Sequence, residues 1–411
     1  MLKNAVNRTN PRPQILWLQV CGLAALQGAI ALTWVIYTLY LGKLLTQMGF
    51  TAEFAAGILV VESLLAIAME PLMGLVSDRM QQWLGSRFPL IAVGVVLGAG
   101  LFMAIPLLVL FGPQPGLLHW LFPTMLVLWA TAMNLFRSPA LALLGRYAFG
   151  SGLPQAASLL TLMGALAGAL RPFANDWLLS LGPLITFGVG SITLLASATA
   201  LRWTDPNPQI LSGAGGDSVG QKRSLSWPAL ALLFTTGAGI AAGFRLQMKI
   251  FPDILKAIPN ANASLSIGAI FVAIALTAIP AGAIARRMGN RRAMVLGVIG
   301  TVAALGCLML VRQSWSVTLV ALALGTGQSF INNGTFPLAL SLVPSHKSGL
   351  GIGMFFGGGA LSAALLGTWF AGVKTVAPGL GIGLAMLGFL AAGICIVASK
   401  KLQGNQWKMI S

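Results

Sequence analysis

Twelve apolar runs, each close to or above 20 residues, follow one another along the 411-residue chain. A helix that crosses the hydrocarbon core of a bilayer takes about 20 such residues. The runs fall at about 14–42, 50–76, 88–112, 117–144, 153–172, 180–202, 226–250, 264–285, 292–312, 316–342, 349–371 and 378–399. Twelve spans consume about 240 residues and leave about 170 for turns and tails, too few for a large extramembrane domain. Only 8% of the residues are charged. A water-soluble globule needs about 25% to cover its surface, so that class is excluded. The 57% hydrophobic content excludes a disordered chain as well. The fold class expected is an all-α integral membrane protein.

The charges set the orientation. The chain carries 25 Lys and Arg against 8 Asp and Glu, a net charge of +17. With the N-terminus placed in the cytoplasm, 17 basic residues fall on that side and 6 on the other, while Arg137 and Arg245 fall inside spans. Basic residues accumulate in cytoplasmic loops, so both termini are expected there. The positive charge therefore reads as membrane topology, and no nucleic-acid partner is expected. The first run, from about Ile15 to Leu41, is longer than the 7–15 residues of a signal-peptide core and reads as a retained helix. Short tails and loops suit a bacterial inner membrane.

The sharpest break lies at 203–225, where Asp205-Pro206-Asn207-Pro208, Gly213-Ala214-Gly215-Gly216-Asp217 and Lys222-Arg223 make a polar linker. It separates an N-terminal six-helix bundle, 1–202, from a C-terminal one, 226–411. The halves repeat each other weakly. Gly74-Leu75-Val76-Ser77-Asp78-Arg79-Met80 after the second run corresponds to Gly282-Ala283-Ile284-Ala285-Arg286-Arg287-Met288 after the eighth. Pro139-Ala140-Leu141-Ala142 in the fourth run corresponds to Pro337-Leu338-Ala339-Leu340 in the tenth. Internal repeats of this kind are typical of secondary transporters.

Six plus six spans, a central cytoplasmic linker and the Gly74…Asp78-Arg79 loop resemble the major facilitator superfamily over essentially the whole chain. Glu70-Pro71-Leu72-Met73-Gly74, Arg87-Phe88-Pro89-Leu90-Ile91 and Asn134 with Ser138-Pro139-Ala140-Leu141 are similar to the sucrose and glycoside–pentoside–hexuronide transporters. The sequence departs from the sucrose carriers at Ala130, Leu141 and Arg146, where those have a carboxylate, an arginine and an aspartate. The resemblance implies two bundles with a solute site between them, lined by spans 1, 4, 7 and 10, and alternating access. It implies a secondary carrier of a small polar organic solute, sugar-like or organic-anionic, with protons as a candidate coupling ion. Drug or metabolite efflux is one alternative. A non-transporting relative that assists assembly of pigment–protein complexes is the other. The expected state is a monomer in the lipid bilayer.

On those four spans the candidate solute contacts are Gln27, Trp34, Tyr37, Asn134, Arg245, Gln247, Gln328, Asn332 and Asn333. Amides beside aromatics offer hydrogen bonds and stacking to a polar organic molecule. Arg245, expected near the outer end of its span, can hold a carboxylate or phosphate with two parallel N–H bonds. The coupling and gating candidates are Glu62, Glu70, Asp78, Arg79 and Arg137. Ionisable groups inside a span are expensive and mark function by default. Glu70 and Arg137 lie at similar depth and are expected to pair. Glu62, near mid-span, is the candidate proton carrier. Asp78 is expected, from the resemblance, to sit on the N-terminus of the eleventh span near Ser348-Gly349. Arg171 and Asp176 are expected to pair at the outer surface. Pro71, Pro139, Pro280 and Pro337 are expected to kink or end helices.

No GxxxxGK[ST] phosphate loop occurs, so ATP drive is not expected. Cys21, Cys307 and Cys395 have no metal spacing, and His119 and His346 are the only histidines. No cofactor, metal site or catalytic constellation is expected, and the chain is not read as an enzyme.

Overall fold

The computed structural model of the chain describes residues 15–112, 116–205, 225–256, 258–372 and 376–408, the side chains of 52, 117, 118 and 403–408 excepted. Most of the expected linker lies outside the described residues, as do Lys3, Arg8, Arg12, Lys222, Arg223 and Lys374.

Twelve helices among the described residues are long and apolar enough to cross a membrane. They are α1 (Trp17–Gln47), α2 (Ala52–Leu84), α3 (Phe88–Leu110), α4 (Leu121–Leu141), α5 (Leu153–Ser180) and α6 (Pro183–Thr204). Then follow α7 (Trp227–Leu255), α8 (Ala263–Met288), α9 (Asn290–Leu308), α10 (Ser314–Leu342), α11 (Ser348–Gly372) and α12 (Pro378–Lys408). A four-residue helical turn, Leu144–Tyr147, extends α4 after a short break.

One expectation about helix ends needs correcting. The motif Gly74–Arg79 was expected as a loop, yet α2 continues through it to Leu84 and ends at Gly85, φ +69°. Hydropathy locates the apolar slab, and a helix can project beyond that slab with its polar turns intact. Gly85 then supplies the left-handed conformation that closes a helix. Pro71, Pro280 and Pro337 lie inside α2, α8 and α10, and only Pro139 stands close to a terminus, two residues before α4 stops. Pro71 has no N–H for the Ile67 carbonyl, and Gly357 of α11 packs against that oxygen.

The packing scheme of the first six helices recurs in the last six. α1 lies on α5 and α6, α3 on α4 and α6, and α2 on α4. Correspondingly α7 lies on α11 and α12, α9 on α10 and α12, and α8 on α10. Two seams join the bundles, α2 on α11 and its counterpart α8 on α5. An even number of spans puts both ends of the described chain on one face. Gln19 at the start of α1 donates to the Thr204 carbonyl at the end of α6, 2.9 Å. Arg291 at the start of α9 donates to the Ser399 carbonyl in α12, 3.3 Å.

Small residues make the seams close. Gly349, Gly353 and Gly357 stand one turn apart on α11 and meet Gly74, the Glu70 carbonyl and Ile67–Pro71 of α2. A Cβ at Gly74 or Gly353 would overlap the facing backbone. In lipid, helices gain little by hiding apolar surface, so close backbone packing of this kind supplies much of the association.

Candidate functional site

Four of the eight acidic residues stand on α2: Glu53, Glu62, Glu70 and Asp78. The last three are buried, and each meets a different element.

Asp78 lies at the face that carries the chain ends. One carboxylate oxygen accepts from the Gly349 N–H and the other from the Leu350 N–H, both 2.9 Å. These are orphan donors of the first turn of α11, where a negative charge is favoured by the helix dipole. Arg87 donates from Nη2 to Asp78 at 2.7 Å and to Ser348 Oγ at 2.8 Å. Burial pulls the Arg87 guanidinium below the usual arginine range, and Asp78 offsets part of that shift. Arg79, the next residue after Asp78, is exposed. On the second seam Arg286 of α8 donates to Gln155 Oε1 of α5, 2.9 Å. Gly145 faces Leu340 at the same face. The side-chain hydrogen bonds described between the bundles thus all lie toward one face.

Deeper in the bundle Glu70 accepts from Ser138 of α4 through a short hydrogen bond and from Arg137 at 3.4 Å. Arg137 also lies over the Phe356 ring of α11, 3.7 Å from its centroid. The expected Glu70–Arg137 pair is therefore present, and it abuts the opposite bundle. Phe356 is absent from the expected set, because an aromatic in an apolar run carries no local mark of a charged neighbour.

Tyr37 of α1 donates to Glu62 Oε1 in a second short hydrogen bond. Its ring packs 4.3 Å from that of Trp129 of α4 and 5.8 Å from that of Trp34. Trp129 in turn stacks on Phe102 of α3, 5.0 Å away. Glu62 Oε2, both indole Nε1 atoms and Gln27 Oε1 are buried without a protein partner. Trp129 was also missed, although the sequence holds a signal. Of the ten Trp side chains described, eight stand near helix ends, as an interfacial belt requires, and only Trp34 and Trp129 stand mid-helix. Asn134 is buried nearby on α4.

In the other bundle Gln328 of α10 donates to Gln247 of α7 at 2.7 Å, and Gln247 Nε2 and Gln328 Oε1 stay without a protein partner. Asn333 gives its amide to the Ala278 carbonyl of α8, 2.7 Å, while Asn332 is half-buried. Arg245 departs from expectation. Helix α7 runs on to Leu255, so Arg245 sits ten residues inside its end, about 15 Å at 1.5 Å per residue. Arg171 and Asp176 form no ion pair, and Asp176 instead accepts from Asn175. Five residues on a helix turn through about 500°, which puts the two side chains on different faces. Among the described residues no group of His, Cys, Asp and Glu could hold a metal ion.

Two bundles of membrane-spanning helices with one repeated packing scheme define a polytopic protein built on a transporter architecture. The chain matches the family model of the Major Facilitator Superfamily over residues 20–367, and it belongs to that superfamily, whose members are transporters rather than enzymes. No curated protein matches it by sequence. Solved structures match by fold at low identity. The proton:xylose symporter XylE bound to 6-bromo-6-deoxy-D-glucose shares 12% identity at TM-score 0.70, with 92% of this chain and 94% of that one covered. The human organic anion transporter MFSD10 (TETRAN) shares 14% at TM-score 0.68, covering 93% and 100%. The transporter FucP in the outward conformation shares 16% at TM-score 0.65, covering 92% and 98%.

Proposed function

We propose that the chain is a secondary active carrier that moves a small polar organic solute, sugar-like or organic-anionic, by alternating access. The observation that carries this reading is the asymmetry of the polar ties between the bundles. Asp78 with Gly349 and Leu350, Arg87 with Ser348, and Gln155 with Arg286 all lie toward the face of the chain ends. A carrier closed at one face has its solute site accessible from the other. In this reading Asp78 and Arg87 are the gate, with Arg79 supplying charge toward lipid phosphates, and Glu70 with Arg137 is a deeper second tie. Gln27, Trp34, Tyr37, Asn134, Gln247, Gln328 and Asn332 are the neutral solute contacts, and Glu62 is the proton carrier.

The domain division 1–202, 203–225 and 226–411 belongs to the same proposal, with the linker as the hinge cover. So does a cytoplasmic position for both termini. Leaving out Arg137 and Arg245, 11 of the described basic side chains lie toward the face of the chain ends and 5 toward the other. That bias favours the cytoplasmic side for the former. A monomer in a bacterial inner membrane completes the reading.

The test is a thermal-shift screen of purified protein against sugars, organic anions and amphipathic drugs at two pH values, followed by counterflow of each hit in proteoliposomes. A ligand that binds only the folded state raises the melting temperature with concentration. A stabilising solute that also exchanges across the vesicle wall supports the carrier. Folded protein that exchanges no member of the panel sinks it.

A further inference from the structure

We propose that the seam between α9 and α12, at the face of the chain ends, is a binding site for an anionic phospholipid. Arg291, Arg292, Lys400 and Lys401 hold its phosphate, and its acyl chains lie along the exposed apolar faces of the two helices. The site is independent of the solute that the chain carries.

Helix α9 leaves the face of the chain ends and α12 returns to it. The two meet at Val298 and Gly393, where an added Cβ would lie 3.1 Å from Val298 Cγ1. Arg291 stands seven residues before Val298, and Lys400 stands seven residues after Gly393. Seven residues make about two turns and bring a side chain back to nearly the same face. Arg291 and Lys400 therefore come level with each other on the faces where the helices touch. The hydrogen bond from Arg291 Nη2 to the Ser399 carbonyl, 3.3 Å, fixes that level. Arg292 and Lys401, the next residue of each helix, are exposed. Arg292 shares a face of α9 with the exposed Leu296 and Ile299. Lys401 shares a face of α12 with the exposed Leu390, Ile394 and Val397.

The first bundle shows what is missing. Its counterparts of α9 and α12 are α3 and α6. There Arg202 of α6 lies over the Phe88 ring of α3, 4.9 Å from its centroid. Asp205 offsets the charge, with Arg146 at 3.5 Å and Arg202 at 3.9 Å. The second bundle keeps a cation between the helices and lacks the acid. From residue 226 onward the chain has one acidic residue, Asp253, and it pairs with Lys256 at the opposite face. Among the described residues no ion pair reaches Arg291, Arg292, Lys400 or Lys401.

Membrane topology alone explains basic residues that stand apart in water. It does not explain two cations level with each other across a helix contact, where each repels the other. An anion between them removes that repulsion. The apolar stripes beside the charges identify the anion. A free ion would use the charges alone, whereas a phospholipid uses the charges and the stripes together. Guanidinium forks also match the several oxygens of a phosphodiester.

The experiment titrates phosphatidylglycerol into full-length protein purified in a mild detergent, at low ionic strength, and follows the melting temperature. Phosphatidylcholine with the same acyl chains and glycerol 3-phosphate without chains are the comparisons. Phosphatidylglycerol should act at a mole fraction at least tenfold lower than phosphatidylcholine, and glycerol 3-phosphate should not reproduce its effect. Arg292→Gln/Lys400→Gln/Lys401→Gln should raise the half-saturating fraction at least tenfold, since each cation near an anionic lipid contributes about 1 kcal/mol. These side chains are exposed, so the variant should keep its lipid-free melting temperature. Lys43→Gln/Arg171→Gln/Arg312→Gln removes the same charge from exposed positions at the opposite face and should change the fraction less than twofold. Native mass spectrometry, which does not depend on stability, should show a retained phosphatidylglycerol that only the Arg292/Lys400/Lys401 variant loses. Equal weakening by both triple variants means diffuse attraction to a basic protein and overturns the site. So does equal action of phosphatidylcholine, a full effect of glycerol 3-phosphate, or no response to any lipid. None of these readouts involves transport, so a failure here leaves the carrier reading standing.

Discussion

Asp78 and Gly349 are 271 residues apart in the chain, yet the carboxylate of one accepts the backbone N–H of the other at 2.9 Å. The bond joins the two bundles at a helix N-terminus, and Arg87 braces it from the side. A carboxylate so placed satisfies two orphan N–H groups and a buried guanidinium at once, so its removal leaves the two N–H groups unpaired and Arg87 with no counter-charge, held only by Ser348 Oγ.

The Asp78→Asn variant keeps one carbonyl acceptor and loses the charge. Leaving Arg87 buried without its partner costs about 3–5 kcal/mol in the closed arrangement. Opening at that face should therefore become frequent. With Cys21, Cys307 and Cys395 replaced by serine, Leu340→Cys should react with a polar maleimide at least tenfold faster in Asp78→Asn than without it. Equal rates would remove Asp78 from the gate.

The α2–α11 seam depends on absent side chains. Gly353→Ala forces a methyl group onto the Glu70 carbonyl and should cost about 1–3 kcal/mol through displaced helices. Gly100→Ala is the control, because no atom lies within 4 Å of a Cβ there. It should be neutral or slightly stabilising, since alanine favours the helix. Melting temperatures of the two variants in one detergent decide the matter. A drop shared by both would mean that the seam is not close-packed.

Glu70 and Arg137 should behave as a coupled pair. Each single change to glutamine leaves one buried charge alone, while the double change removes both. Unfolding free energies from a double-mutant cycle should show coupling of about 1–3 kcal/mol, the double variant being milder than the sum of the singles. Additive losses would reduce the pair to two independent contacts.

Glu62 is tested by separating binding from proton movement. Glutamine at 62 retains an acceptor for the Tyr37 hydroxyl, so Glu62→Gln should fold and still exchange solute in counterflow. It should lose any solute-driven alkalinisation recorded with an electrode in weakly buffered vesicles. Proton movement that persists in Glu62→Gln assigns coupling to another group.

Much of this architecture is legible in one dimension. Charge scarcity and run length indicate twelve spans, and the break after Arg202 marks where the halves part. Glu62, Glu70 and Arg137 stand out because each is a charge in an apolar run, and Asp78 stands out through the family resemblance of the Gly74–Arg79 motif. The expectation of a Glu70–Arg137 pair needed only the rise per residue. Phe356 does not stand out, because an apolar side chain in a span looks the same whether it faces lipid, another helix or a solute, whereas Trp129 is marked only by standing away from the helix ends. The true end of α2 was hidden for a related reason, since hydropathy marks where lipid stops and not where hydrogen bonding stops.

The sequence by itself determined how many helices cross the membrane, their order and alternation, and which charges lie within them, because burying a backbone or a charge in hydrocarbon has a cost that composition reveals. Only the tertiary structure decided the partners: Gly349 for Asp78, Ser348 for Arg87, Phe356 for Arg137 and Tyr37 for Glu62. In water an amphipathic stripe tells a helix which face to hide. In lipid both faces are apolar, so helix pairing rests on the fit of small residues such as Gly74 against Gly349 and on a few buried hydrogen bonds.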